Sequence, residues 1–139
     1  MTESLLPAPA PEQNPETEGF WRATAEGRLL LPRCDNCGVA IWYPRQLCPD
    51  CGSTSVAWTE ASGLGSIYSF SVVHRSAGSY QSVVPYVVAY VELPEGPRVL
   101  TNIVGCDPDR VYIGQAVRLV FSDTGHLSAL YRFEPVEEE

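Results

Sequence analysis

The sequence predicts a mainly β protein in which a short helix and a four-cysteine ribbon precede a small barrel of five strands. Four cysteines form two C-x-x-C pairs between Cys34 and Cys51. After Gly65, five runs rich in Val, Ile, Tyr and Phe follow one another, and these residue types fit a pleated, half-buried sheet. Before the cysteines, one brief apolar stretch at Phe20 and Trp21 stops before Gly27, as is typical of a short helix.

Composition divides the chain of 139 residues into four parts. Residues 1–18 combine four prolines with acidic residues and are predicted to form a disordered leader. Residues 19–60 hold the helix and the ribbon, residues 61–136 the barrel, and residues 137–139 an acidic tail. The helix has a large apolar face, which packs either on the chain's own core or on a partner.

The charge distribution and the lack of long apolar runs indicate where in the cell the protein lies. The formal net charge is −8, but the acids concentrate at the two ends, and between Arg22 and Phe133 nine acids face nine arginines. No run approaches the roughly 18 apolar residues that a membrane helix needs, and the N-terminus lacks the features of a secretory signal. The sequence therefore predicts a cytoplasmic protein that contacts no membrane. In that reducing compartment, paired cysteines are expected to bind a metal rather than to form disulfides.

The cysteine pattern predicts one structural zinc ion held by Cys34, Cys37, Cys48 and Cys51. A two-residue gap lets one tight turn direct two sulfurs at one ion, and the ten residues between the pairs suffice for a hairpin that brings the second turn opposite the first. A glycine follows each pair and allows the left-handed backbone that such a turn needs. Zinc takes four ligands of this kind at tetrahedral corners. Iron in the same cage and a redox dithiol are the alternatives.

The second half of the chain predicts a barrel. Its extended runs cover residues 66–74, 86–93, 98–104, 116–122 and 129–134. Turn-forming residues at 94–97 and 123–125 indicate hairpins between the second and third runs and between the last two. Residues 105–114 form a longer connection between the third and fourth runs. Five short antiparallel strands with this long link indicate an OB-fold, the five-stranded small barrel.

A search for catalytic residues finds none. Neither of the two histidines, His74 and His126, lies in a recognisable nucleophile–base pattern. Cys106 stands apart from the metal pattern and is interpreted as a buried cysteine. Four thiolates close the coordination shell of zinc and leave no position for a catalytic water. The sequence therefore predicts that the chain is not an enzyme on its own.

Nucleic acid is the partner that zinc ribbons and OB barrels suggest most readily. Binding to it needs clustered positive charge along a groove, whereas the nine arginines are scattered along the chain. The zinc site itself adds a charge of about −2 from four thiolates and one dication. Four aromatic residues are candidates for stacking on bases, but core packing is the preferred interpretation for Tyr68, Phe70, Tyr86 and Tyr90. No nucleic-acid partner is predicted, and a single-stranded nucleic-acid-binding module is kept as the alternative.

The order of helix, ribbon and barrel resembles a known family across residues 19–136. This is the family of acyl-CoA-associated OB-fold proteins with a rubredoxin-like zinc ribbon, also called domain of unknown function 35. No single string is diagnostic, but their order and spacing together are. The matching strings are FW at residues 20–21, EGRL at 26–29, the four cysteines, YPR at 43–45, GLGSIYS at 63–69, PYVVAYVEL at 85–93 and GQAV at 114–117.

The resemblance implies a role that the residues alone do not. Members are similar in being small non-catalytic partners that stabilise thiolase-fold enzymes acting on acyl-CoA thioesters, within a hetero-oligomer. The resemblance also implies a position beside the channel for the CoA arm, for which Arg45 and Arg75 are candidate phosphate contacts. The loop at residues 75–84 either lies over the partner's active site or is a plain surface loop.

The favoured reaction of the partner is retro-aldol cleavage of a steroid side-chain CoA ester. A thiolase or acyltransferase in another acyl-CoA pathway is the alternative within this class. A free-standing enzyme that binds or hydrolyses acyl-CoA is a third class.

Overall fold

The computed structural model describes residues 6–136, and in this part of the chain one α-helix is followed by seven strands. The mainly β fold with its short helix, ribbon and five-stranded barrel is confirmed. The elements are α1 (Glu18–Ala25), β1 (Leu30–Cys34), β2 (Val56–Glu60), β3 (Leu64–Val73), β4 (Tyr86–Glu92), β5 (Arg98–Ile103), β6 (Ala116–Asp123) and β7 (Ala129–Pro135). The predicted acidic tail lies outside the described residues. No helix in the described part of the chain has the length and apolar character needed to cross a membrane.

The ribbon is a two-stranded antiparallel sheet with the cysteine turns between its strands. β1 pairs with β2 so that Leu30 lies opposite Glu60 and Cys34 opposite Val56. The two strands are separated by 21 residues that carry the remaining three ribbon cysteines. Sheets of two strands bury little on their own, so the ribbon depends on what its cysteines bind.

The barrel closes in the strand order β3-β4-β5-β7-β6. All pairs are antiparallel except β5 with β7, which run parallel where Ile103 lies opposite Phe133. Alternate residues point inward, as the period of a strand requires. On β4, Val87, Ala89 and Val91 are all buried in the core. A bulge interrupts the pairing of β3 with β4 between Ile67 and Ser69.

The connections of the barrel contain two short 3-10 turns. The first, Gly78–Val83, lies in the predicted loop between β3 and β4. There the ring of Tyr80 packs against that of Tyr86, with centroids 5.4 Å apart. The second, Pro108–Arg110, lies in the long connection before β6, and the buried Val111 that follows it packs in the core.

Helix α1 packs its apolar face on the chain's own core, not on a partner. Phe20 and Trp21 are buried and belong to the same cluster as the barrel residues. Thr24, also buried, accepts a hydrogen bond from the backbone N–H of Ala129 at 3.0 Å. The helix therefore joins the ribbon to the barrel.

Residues 6–17, the described part of the predicted leader, form the N-terminal segment. Both of its ends form hydrogen bonds with other parts of the chain. The backbone carbonyls of Leu6 and Pro7 accept hydrogen bonds from the guanidinium of Arg132. Near the helix, Glu16 accepts one from the backbone N–H of Gln46 at 2.9 Å. Arg132 points away from the barrel interior on β7, yet it is only 1% exposed. Through these contacts residues 6 and 7 lie against the outer side of β7, and the disorder of the leader stays a prediction.

Candidate metal centre and its surroundings

The four ribbon cysteines converge on one point. Their sulfurs all lie within 4.8 Å of one another. The Cys34 and Cys51 sulfurs are 3.5 Å apart, and those of Cys37 and Cys48 are 3.6 Å apart. Sulfurs placed about 2.3 Å from a central zinc ion at tetrahedral corners lie about 3.8 Å from each other, whereas a disulfide holds them about 2.05 Å apart. The arrangement fits a tetrahedral four-thiolate cage and not a pair of disulfides.

Two matching turns direct these sulfurs. In the first, the N–H of Gly38 donates to the carbonyl of Cys34 at 2.9 Å, and in the second the N–H of Gly52 donates to that of Cys48 at 2.9 Å. Gly38 has a φ of 79° and Gly52 a φ of 77°, the left-handed region that glycine adopts at no steric cost. The sequence prediction for these two glycines is confirmed.

Two of the four thiols, those of Cys37 and Cys51, have pKa values shifted in opposite directions. The side-chain amide of Asn36 donates to the Cys51 sulfur at 3.6 Å and, with the Ser53 backbone, lowers the pKa of Cys51 to about 6. At Cys37 the Val39 backbone hydrogen bond lowers the pKa, but desolvation and the neighbouring thiols raise it to about 12. A bound dication removes this conflict, since a metal-coordinating thiol is deprotonated outright.

The metal centre lies at the surface, with one half facing inward. Cys34 and Cys48 are buried with Ile41, and Val39 and Val56 pack against them. The other two cysteines are exposed. This apolar cluster is too small to hold the ribbon together alone, so the ion would supply the missing cross-link.

The loop between the two cysteine turns reaches the helix and the barrel through an aromatic cluster, formed by Phe20, Trp21, Trp42, Tyr43 and Tyr131. The Phe20 and Trp42 rings have centroids 5.5 Å apart, and those of Trp42 and Tyr131 are 5.6 Å apart. The indole N–H of Trp21 donates to the hydroxyl of Tyr43 at 3.0 Å. The same hairpin that presents the cysteines is thus fixed to α1 and β7.

The structure does not place the three residues considered for catalysis, His74, His126 and Cys106, at one site. His74 and His126 are exposed, the first just after β3 and the second on the turn before β7. Cys106 is only half-buried, so its interpretation as a buried cysteine is wrong in degree. Burial, and then the charge of Asp107, raises the pKa of the Cys106 thiol, which makes it a poor nucleophile.

The two candidate arginines also lie apart. Arg45 lines a groove of about 430 Å³ between the start of α1 and the ribbon, together with Trp58 and Gln46. Arg75 is exposed just beyond β3 and does not line this groove. The structure therefore does not assemble them into one phosphate site.

The aromatic residues of the barrel strands divide between its two sides. Phe70 packs against the core as expected. For Tyr68 and Tyr90 the core interpretation is wrong, because both rings are nearly half exposed on the outside. The bulge in β3 lies at Tyr68, and a bulge turns its side chain out of the regular alternation.

Comparison with known proteins identifies the family. The model of the rubredoxin-like zinc ribbon domain of ChsH2 matches residues 21–57, and that of the C-terminal OB-fold domain of ChsH2 matches residues 58–122. The DUF35 domain-containing scaffold protein of Methanocaldococcus jannaschii is 38% identical over 84% of this chain and 89% of its own length. The chain belongs to the ChsH2/DUF35 family. The predicted resemblance is confirmed, and the four cysteines of this family member are positioned to bind a zinc ion.

Other members of the ChsH2/DUF35 family are named as parts of acyl-CoA enzymes. The 3-oxo-4,17-pregnadiene-20-carboxyl-CoA hydratase alpha subunit of Mycobacterium tuberculosis is 33% identical over 91% of this chain, which spans only 40% of that subunit. The benzoylsuccinyl-CoA thiolase subunit BbsA of Geobacter metallireducens is 34% identical over 52% of this chain and 48% of its own length. Among solved structures, a chain of the Ltp2-ChsH2(DUF35) aldolase superposes with a TM-score of 0.82 at 36% identity, covering 91% of this chain and 98% of that one.

Proposed function

We propose that this chain is a non-catalytic accessory subunit that binds and stabilises a thiolase-fold enzyme acting on acyl-CoA thioesters. The observation that carries the proposal is the likeness to a whole chain of the Ltp2-ChsH2(DUF35) aldolase, at a TM-score of 0.82. Relatives named as hydratase and thiolase subunits support the same kind of role. The name scaffold protein, given to the archaeal relative, supports a structural contribution.

The chemistry of the described residues agrees with this role. Four thiolates fill the coordination shell of a zinc ion and leave no position for substrate or water. The two histidines are exposed at separate points of the chain. The imidazole of His126 contacts the backbone carbonyl of Thr124 at 3.1 Å and not a hydroxyl or thiol, so the reacting groups would come from the partner enzyme.

Retro-aldol cleavage of a steroid side-chain CoA ester is the reaction that we assign to the partner. It is supported by the aldolase likeness and by the pregnadiene-carboxyl-CoA hydratase subunit, whose name carries a steroid-derived CoA ester. The thiolase subunit supports the alternative, an accessory role for a thiolase or acyltransferase of another pathway.

Co-expression with a thiolase-fold enzyme from the same organism tests the accessory role. We expect the two proteins to elute together from gel filtration, and the enzyme to lose thermal stability when expressed alone. The complex should cleave a steroid side-chain CoA ester faster than a straight-chain 3-ketoacyl-CoA. Faster thiolysis of the latter would favour the alternative.

Two results would contradict the accessory role altogether. One is salt-dependent binding of the isolated chain to single-stranded DNA, since that dependence reports phosphate contacts. The other is hydrolysis of acyl-CoA by the isolated chain that a His74→Ala substitution abolishes. If either result is found and the thiolase-fold enzyme elutes separately from the chain in gel filtration, the accessory role is wrong.

The CoA ester lies, in this proposal, in a channel that both subunits border. Arg45 is the better candidate for its phosphates, because it lines a groove with the exposed ring of Trp58 and arginine is suited to phosphate oxygens. In the complex, Arg45→Ala should raise KM for the CoA ester while leaving kcat unchanged. Arg22→Ala, at an exposed arginine of α1 that does not line the groove, is the matched control. Equal kinetics for both variants would remove Arg45 from the site.

A further inference from the structure

We propose that the accessory subunit binds its acyl-CoA enzyme partner through an outer barrel face formed by Tyr68, Tyr90, Leu100, Tyr112 and Ile113. The inference rests on the proposed function and names the surface that performs it. Each of the five side chains is between 45% and 67% exposed. They come from three strands and one loop, so the face is made by the fold and not by one segment.

The register of the strands brings the first three side chains together. Tyr90 on β4 lies opposite Leu100 on β5 on one side and opposite Ser69 on β3 on the other. Side chains that lie opposite each other on neighbouring strands are about 5 Å apart at Cβ. Tyr68, at the bulge of β3, precedes Ser69. Three large side chains therefore form a row across three neighbouring strands.

The loop before β6 extends this row. The N–H of Gly114 donates to the carbonyl of Ile67 at 2.8 Å, and the N–H of Ile67 donates to the carbonyl of Gln115 at 3.0 Å. These bonds hold the loop alongside β3, next to Tyr68. Tyr112 and Ile113 are thus exposed at the border of the same face.

Beside Tyr90 and Leu100 the face has a depression that a partner's side chain can enter. The depression has a volume of about 190 Å³ and is lined by Ser69, Ser71 and Val88, with Tyr90 and Leu100 beside it. Small residues between large ones leave this space open. Binding hot spots combine such pockets with tyrosine, which is enriched among the residues that carry binding energy.

The exposed area fits one side of a stable complex. A large side chain that is about half exposed offers about 100 Å², since complete burial of an aromatic residue removes 150–250 Å². Five such side chains offer about 500 Å², against about 800 Å² per partner in a standard interface. The face alone therefore supplies more than half of what one partner contributes.

Parts of the outer surface of the barrel already have an occupant within the chain. The N-terminal segment covers the outer side of β7 at Arg132. Helix α1 buries Phe20 and Trp21 in the aromatic cluster. The face on β3, β4 and β5 is left open in the described residues. It includes β4 and β5, the second and third barrel strands, whose face carries ligands in other OB-folds.

The charge of the face favours a protein over nucleic acid. Arg98, on β5, is the cation at this face, and its guanidinium lies 3.8 Å above the Tyr68 ring. It also forms an ion pair with Glu92 at 3.3 Å. A groove for single strands combines stacking rings with several cations along the backbone path. Here Arg98 already has two partners, the Tyr68 ring and Glu92, so its charge is offset within the face.

Substitution of the face tests the inference against the thiolase-fold enzyme that co-elutes with the chain in the co-expression experiment. The double variant Tyr90→Glu/Leu100→Glu places two charges in the centre of the face, and its affinity for that enzyme is measured by isothermal titration calorimetry. We expect binding at least about 30-fold weaker than that of the unsubstituted chain, the loss that one hot-spot residue causes. Leu127→Glu is the matched control, because Leu127 is 87% exposed on the turn between β6 and β7, and it should bind normally.

The outcomes separate this inference from the proposed function. Normal binding by the double variant, or equal losses in the double variant and the control, overturns the outer barrel face while the accessory role stands. No binding by the unsubstituted chain overturns both. Dimerisation of the unsubstituted chain that the double variant abolishes, or single-stranded DNA binding that it abolishes, would assign the face to another occupant. Tyr90→Ala alone, with an unchanged melting temperature, provides the same comparison if the double variant does not fold.

Discussion

At the scale of single residues, Thr24 forms a buried polar link between the helix and the barrel. Its hydroxyl donates to the Trp21 carbonyl at 2.6 Å and accepts from the Ala129 N–H at 3.0 Å. Both Thr24 and Ala129 are buried. Loss of the hydroxyl would leave the Ala129 donor without its side-chain partner, in a place that water does not reach.

We therefore expect Thr24→Val to lower the free energy of unfolding by about 1–3 kcal/mol, the cost of an unsatisfied buried group. Urea unfolding followed by circular dichroism measures this change. Thr24→Ser keeps the hydroxyl and is the control, for which a smaller loss is expected. Equal losses in the two variants would show that packing, not the hydrogen bond, holds the helix.

Tyr131 is expected to make the free energy of unfolding fall at alkaline pH. Burial, and then the proximity of Tyr43, raises the pKa of Tyr131 above its usual range, and burial likewise raises the pKa of Tyr43 against the effect of its bond to Trp21. In the unfolded chain a tyrosine titrates near pH 10. Above that pH the unfolded state releases protons that the folded state retains, so the free energy of unfolding falls as pH rises.

We expect the free energy of unfolding to be constant below about pH 10 and to decline above it. The decline should be less steep in Tyr131→Phe than in the unsubstituted chain. Urea midpoints at pH 8, 10 and 11 measure the decline. Tyr112→Phe removes an exposed tyrosine and should leave it unchanged. A Tyr131→Phe variant with an unaltered decline would mean that this ring does not keep its proton.

The cysteines could be predicted from the sequence because their spacing alone carries the information. The aromatic cluster could not, since Phe20, Trp42 and Tyr131 lie on separate segments and meet only once the barrel and ribbon have folded. Arg132 was equally unpredictable. Its burial depends on the carbonyls of a proline-rich segment whose composition indicates disorder.

At the scale of elements, the ribbon and the barrel differ in what holds them together. The ribbon has a small buried cluster of Cys34, Ile41 and Cys48. The barrel shares a core of fifteen buried residues with α1 and β1. Only the ribbon therefore relies on its metal.

Removal of the metal with a chelator is expected to unfold residues 29–60 and leave the barrel folded. Hydrogen exchange of the backbone amides, with metal analysis before and after treatment, measures the effect. Amides of β1 and β2 should lose protection, whereas those of β4 and β5 should keep it. A metal-free ribbon with full protection would contradict the structural role of zinc.

The strands themselves were predictable to within about two residues at each end. Their β-branched and aromatic runs are bounded by turn residues, and these signals are local. The 3-10 turn Gly78–Val83 was not predicted, because its sequence is typical of a plain loop. Its position depends on Tyr80, which packs against Tyr86 and donates to the carbonyl of Pro7. The domain boundary at residue 60 stays a prediction.

At the scale of the whole molecule, the aromatic cluster is the main connection between ribbon and barrel. Trp42 and Tyr43 come from the ribbon, Phe20 and Trp21 from the helix, and Tyr131 from the barrel. Rings that contact one another in this way contribute beyond their buried area. The metal-loaded protein is therefore expected to unfold as one unit.

We expect Trp42→Ala to separate the unfolding of the ribbon from that of the barrel. Truncation of a partly buried tryptophan creates a cavity in the cluster, and two transitions should replace one in thermal unfolding. Trp58→Ala removes an exposed ribbon tryptophan outside the cluster and is the control, with one transition retained. A single transition in both variants would assign the connection to other contacts.

The closure of the barrel limits how evolution can change its partners. A ring of strands offers no free edge to which a foreign strand can add. A partner that binds the barrel must therefore recognise outward side chains, which can be replaced without disturbing the inward ones. Substitution of the outward residues on one face can therefore change which enzyme a relative binds, while the inward residues and the barrel itself stay the same.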